Sequence, residues 1–150
     1  MLARDGFLDI EEVVNIPGFP GTETLNNKKC VVIECKQNIP CNPCESACPH
    51  HAIVIEGGIH HIPQLKPELC VGCGICVARC SGQAIFVVGQ EQDYGVVSFP
   101  YEMLPLPEKG MIVDGTDREG QTVCQGEILK VMIAKNFDHT TVVTLKVPLG

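Results

Sequence analysis

The sequence predicts an α+β chain in which short strands and two short helices surround cysteine loops. Three observations predict it. Nine of the ten cysteines lie between residues 30 and 89. When the chain is laid on itself with a shift of 32, Cys41, Cys44 and Cys48 fall on Cys73, Cys76 and Cys80. The apolar tails match as well: Cys48-Pro49-His50-His51-Ala52-Ile53-Val54-Ile55 lies over Cys80-Ser81-Gly82-Gln83-Ala84-Ile85-Phe86-Val87. Each copy reads as a cysteine loop, a short turn of helix and then a strand.

The elements follow in order. Residues 1–29 form an N-terminal arm with one short helix, for which Asp9 is the N-cap and Glu12, three residues on, its capping partner. Pro17, Gly18, Pro20 and Gly21 end that helix. The arm is too irregular to build its own core, so it packs along the main domain or against a partner, terminal disorder being the alternative. Residues 30–89 are the chemical core. Val31-Val32-Ile33 is a strand ahead of the first copy, and His60-His61-Ile62, after the turn at Gly57-Gly58, is a fourth strand candidate. Residues 90–109, with Pro100, Pro105 and Pro107, read as a Pro-rich linker. Residues 110–150 read as a small antiparallel β docking unit, with strands at Met111–Val113, Ile128–Ile133 and Thr140–Val147 separated by turn signals at 117–120 and 136–138.

Composition narrows the function. A length of 150 residues allows one domain, or one and a small appendage. The formal charge is −7 and no basic stripe is present, so nucleic acid is not an expected partner. The start of the chain meets acidic residues at once and shows no export signal. The longest apolar runs are strand-sized, well short of the roughly 18 residues that suggest a membrane span. A cytoplasmic protein is expected, and in that compartment closely spaced cysteines are metal ligands or redox groups more often than disulfides.

Cys70, Cys73, Cys76 and Cys80 form C-x2-C-x2-C-x3-C, the spacing of iron–sulfur runs in which the fourth cysteine serves the other of two clusters. Three thiolates at two-residue intervals wrap one face of a cubane, and Gly72 and Gly74 let the backbone turn around it with amides free to point at sulfur. Cys41, Cys44 and Cys48 repeat the last three members, which predicts an exchange of fourth ligands and two [4Fe–4S] clusters. Cluster 2 is then Cys48, Cys70, Cys73 and Cys76. Cluster 1 takes Cys41, Cys44 and Cys80, and its first ligand is less regular, because the shift of 32 places Asn38 there. Cys35 is the nearest upstream thiol. The alternatives are Cys30, Asn38 or solvent, or a three-cysteine cluster that lacks one iron. A zinc site built from Cys41/Cys44 and Cys70/Cys73 is the competing reading, but it strands Cys48, Cys76 and Cys80 at matched offsets.

Cys30 and Cys124 lie outside the pattern and are expected to pack as small apolar residues. His50-His51 and His60-His61 read as loop or surface residues, with His50 and His51 near enough to Cys48 to influence a cluster. No phosphate loop and no nucleophile constellation is present, so no site for transforming an organic substrate is expected in this chain.

On these residues the segment 30–89 resembles the bacterial-type two-[4Fe–4S] ferredoxins, whose strands and helices are related by a pseudo-two-fold. The departures are Cys35 with Asn38 at the first position and Ser81 after the fourth cysteine of the run. The wider chain is similar to the small ferredoxin-like proteins that accompany FAD-dependent dehydrogenases of the amino-acid type in anaerobic bacteria. The phrases Val32-Ile33-Glu34-Cys35, Ile39-Pro40-Cys41-Asn42-Pro43-Cys44-Glu45, Phe99-Pro100-Tyr101-Glu102, Leu104-Pro105-Leu106-Pro107 and Asp117-Arg118-Glu119-Gly120 carry that likeness. It implies an electron-transfer subunit of a hetero-oligomeric oxidoreductase, exchanging single electrons with a flavin in its partner. A freestanding soluble ferredoxin is the alternative.

Overall fold

The computed structural model describes residues 8–36, 41–58, 61–117, 119–133 and 140–148. Its elements in chain order are α1 (Ile10–Val13), α2 (Thr22–Asn27), β1 (Cys30–Ile33), α3 (Pro43–Ala47), β2 (Ile53–Val54), β3 (Gln64–Leu65), α4 (Ile75–Arg79), β4 (Ile85–Glu91), β5 (Tyr94–Tyr101), β6 (Ile112–Thr116), β7 (Thr122–Met132) and β8 (Thr141–Val147). Six strands form one antiparallel sheet in the order β1-β4-β5-β8-β7-β6, and β2 pairs with β3 in a separate hairpin. Among the described residues no helix is long and apolar enough to cross a membrane.

The arm packs on the domain. Asp9 Oδ1 accepts from the Glu12 amide at 2.9 Å, and Glu12 Oε2 accepts from the Asp9 amide at 3.2 Å, so the capping box closes at the N-terminus of α1. Leu8, Val13 and Ile16 bury against Val32, with Phe19, Leu25 and Val88 around them. The chain then runs along open strand edges: the Ile33 amide donates to the Gly18 carbonyl at 3.0 Å and the Leu65 amide to the Pro17 carbonyl at 3.2 Å. Gly18 is required there, because a Cβ would stand 2.3 Å from the Ile33 carbonyl oxygen. Helix α2 carries no apolar stripe long enough to have been expected.

The stretch 90–109 differs from its linker-like reading, since eight of its residues form β5. Tyr94, Val96, Val97 and Phe99 supply β-forming side chains, and Pro100 sits next to the strand's end, where a missing donor costs least. β5 pairs with β4 on one side (Val88↔Val97) and with β8 on the other (Ser98↔Thr144). The C-terminal strands therefore continue the sheet that begins at β1. The strand candidate at 60–62 falls partly outside the described residues, and the hairpin partner of β2 is Gln64–Leu65. The turn signal at 136–138 also lies outside them.

Alternation along the strands gives the sheet two apolar faces. Ile85, Val87 and Val142 point into a core shared with Cys30, Cys44, Ala52, Ile53, Cys70, Cys76 and Val77. Val143, Leu145 and Ile128 point the other way, with Phe99, Tyr101 and Val113 against them. The cysteine helices lie on the first face.

Candidate iron–sulfur centres

Helices α3 and α4 occupy equivalent places in the repeat, Pro43–Ala47 and Ile75–Arg79. Pro43 starts α3, where its absent amide is one the helix could not use, and Gly74 starts α4 in a left-handed conformation at φ 83°. Each helix ends on a cysteine in extended conformation, Cys48 at ψ 111° and Cys80 at ψ 111°. The chain then reverses through a residue with positive φ, His51 (56°) or Gln83 (53°). This reversal aims an amide back at the preceding thiol. The Ala52 amide donates to Cys48 Sγ at 3.4 Å and the Ala84 amide to Cys80 Sγ at 3.4 Å.

The thiols meet around two cavities. One is lined by Cys35, Cys41, Cys44 and Cys80, together with Ile33, Pro43, His61, Pro63 and Ile85. The other is lined by Cys48, Cys70, Cys73 and Cys76, together with Val31, His50, Ala52, Ile53, Val71 and Ile75. The eight cysteines singled out by spacing line these two cavities four and four, with Cys35 beside Cys41, Cys44 and Cys80. Cys30 and Cys124 line neither cavity. Among the described residues no group of three or more His, Cys, Asp or Glu side chains converges as the ligands of a single ion do. The thiols stand around a volume instead.

Electrostatics within each set is mutual. Burial pushes the Cys44 thiol up to about 11, with Cys80, Cys41 and Cys35 adding to the effect. Burial also raises Cys76, with Cys70, Cys73 and Cys48 the next contributors. Thiolates crowded in this way need a shared cation, and an iron–sulfur core provides one. The four-thiol donor sets and the sulfur-directed amides fit the chemistry of a cubane at each site.

Cys30, expected to pack as a small apolar residue, and Lys28, missed by sequence reasoning, stand beside the second cavity. Cys30 is fully buried and hydrogen-bonds to Cys70, which holds the Cys70 thiol well below its ordinary range and Cys30 well above it; the Val31 and Gly72 amides and the Lys28 charge also favour the Cys70 thiolate. The Lys28 ammonium donates to the carbonyls of Pro67 at 2.6 Å and Cys70 at 2.8 Å. No local signal could reveal either residue, because Cys70 lies about forty positions away in the chain.

The cysteine region has the donors and surroundings of an iron–sulfur site. Residues 33–84 match the family model described as a 4Fe-4S dicluster domain, a match that takes in Cys35 and leaves out Cys30. Over 52 residues the chain is 40% identical to the ferredoxin-type protein NapF of Escherichia coli strain K12, covering 33% of this chain and 31% of that protein. A longer similarity, 28% identity over 125 residues, links it to ABC transporter E family member 1 of Arabidopsis thaliana, covering 74% of this chain and 19% of the relative. Protein Pixie of Drosophila melanogaster is 27% identical over 126 residues, again 74% of this chain and 19% of the relative. The chain therefore spans about a fifth of the length of these longer relatives. No solved structure matches the chain significantly. The chain carries a 4Fe–4S ferredoxin-type electron-transfer domain.

Proposed function

We propose that the chain is an electron-transfer subunit with two [4Fe–4S] clusters, one on Cys35, Cys41, Cys44 and Cys80 and the other on Cys48, Cys70, Cys73 and Cys76. The observation that carries this reading is the division of eight cysteines between two cavities, each drawing its fourth thiol from the other half of the repeat. The exchange supports a pseudo-two-fold arrangement of the cysteine region.

When bound, each cluster accepts or donates one electron at a time. The protein supplies the surroundings. Thiolates anchor each core, the Ala52 and Ala84 amides donate to sulfur, and Val31, Ile53, Ile33 and Ile85 keep water from the inner walls. Cys73 alone among the ten cysteines is exposed, and its neighbours Leu69 and Val71 are 41% and 57% exposed. A cluster held by Cys73 would exchange electrons on this exposed side.

The partner is a flavin-containing subunit of a heteromeric, cytoplasmic oxidoreductase of an anaerobe. This part of the reading rests on the resemblance of the wider chain. Purification of the native protein under anaerobic conditions tests it: co-elution with a flavoprotein is expected, and a monomeric brown protein with no flavin would make it a freestanding ferredoxin.

A further inference from the structure

The backbone at Lys28–Lys29 is held between two glycines. A Cβ on Gly89 would stand 2.6 Å from Lys29 Cα and 2.8 Å from the Lys28 carbonyl oxygen; on Gly72 it would stand 3.0 Å from the Lys29 carbonyl oxygen. No other residue type allows β4 and the Cys70–Gly74 loop to close on this segment from both sides. Lys29 is tied further by an ion pair with Glu91 at 2.6 Å. The Lys28 side chain then has a fixed origin. It reaches inward, part-buried, to the carbonyls that bracket the loop leading into Cys70.

A cation held on two carbonyls beside a thiolate-ligated site is an electrostatic element as well as a structural one. Part-buried charges are screened less than surface charges, and their interaction energies are correspondingly larger than in water. We propose that Lys28 is a positioning residue of the second site, its anchored ammonium favouring the reduced, more negative form of the cluster on Cys48, Cys70, Cys73 and Cys76. The step involved is the gain of one electron from the redox partner, with no bond made or broken and no proton moved. Removing the charge makes that gain less favourable, so the potential falls.

The inference rests on the ligand assignment proposed above, and one experiment separates the two. The reconstituted full chain is titrated electrochemically with EPR detection, in wild-type, Lys28→Met, Lys28→Gln and Lys28→Arg forms, each with its iron content measured. The wild type is expected to show two one-electron couples. Lys28→Met should keep full iron and move one couple to a more negative potential. The expected size is about a tenfold loss in the reduced-to-oxidised ratio at fixed potential, or about 59 mV. Lys28→Arg, which keeps the charge, should restore most of that shift. If Lys28→Met loses iron, Lys28→Gln, neutral but still a donor, is judged by the same shift. Two unmoved couples in an iron-replete neutral variant would overturn the inference, as would equal shifts in Lys28→Arg and Lys28→Met. A wild type without two couples would overturn the ligand assignment instead.

Discussion

Cys35 stands outside the regular spacing, and its place in the wall of the first cavity is a matter of three-dimensional placement. Cys35→Ala is expected to lower bound iron to one intact cluster and one damaged one, whereas Cys30→Ala and Cys124→Ser should keep both; iron and sulfide assays decide it. Cys124 faces a different role. It lies opposite Gly115, where a Cβ would come 2.7 Å from Cys124 Sγ, so this thiol fills space between β6 and β7. Gly89→Ala is expected to cost about 1–3 kcal/mol, measured by denaturant unfolding, because the new methyl meets backbone at Lys28–Lys29. Acid should loosen the same segment. The Lys29 ammonium, and then the Tyr94 hydroxyl, hold Glu91 below the ordinary carboxylate range. A depressed carboxylate adds stability above its unfolded pKa of about 4.3 and loses it as pH falls through the lower folded value. Glu91→Gln should therefore flatten the loss of stability below about pH 4.3, by a small amount because the pair is exposed.

At the scale of elements, the repeat was legible because each copy carries its chemistry in a few adjacent residues. The shift that aligns the cysteines also aligns α3 with α4, His51 with Gln83, and the Ala52 amide with the Ala84 amide. Asp9 and Glu12 were readable for the same reason, a capping box being entirely local. Asp9→Ala is expected to cost about 1 kcal/mol and to loosen the arm over Val32, which hydrogen exchange at Ile33 would report. Helix α2 was not legible, since it has neither a side-chain N-cap bond nor a buried residue. Helix α2 instead leads into Lys28, whose ammonium reaches the Pro67 and Cys70 carbonyls, a placement set by Gly72 and Gly89 from distant parts of the chain.

Across the whole molecule, strand order was the least legible feature. Three prolines in 90–109 suggested a linker, yet β5 forms there because β4 and β8 flank it with register that buries Val96 and Ser98. Val142 of β8 reaches the core around the cysteine helices, and Met132 of β7 packs against it. Cutting the chain after residue 109 is therefore expected to abolish cooperative unfolding and iron retention, a result that a detachable C-terminal unit would not give. Cluster loading also changes the field of the molecule. Eight thiolates and two oxidised cores take the formal charge from −7 to about −11, so association with a partner should slow or quicken with salt according to that partner's sign. Two cubanes held by eight cysteines are tested most directly by anaerobic reconstitution with iron and sulfide, followed by metal analysis and EPR of the dithionite-reduced protein. About eight irons and eight sulfides per chain, with a reduced spectrum of two interacting [4Fe–4S] centres, is the predicted result. A colourless protein loaded with zinc, or a chain that saturates at four irons, would contradict it.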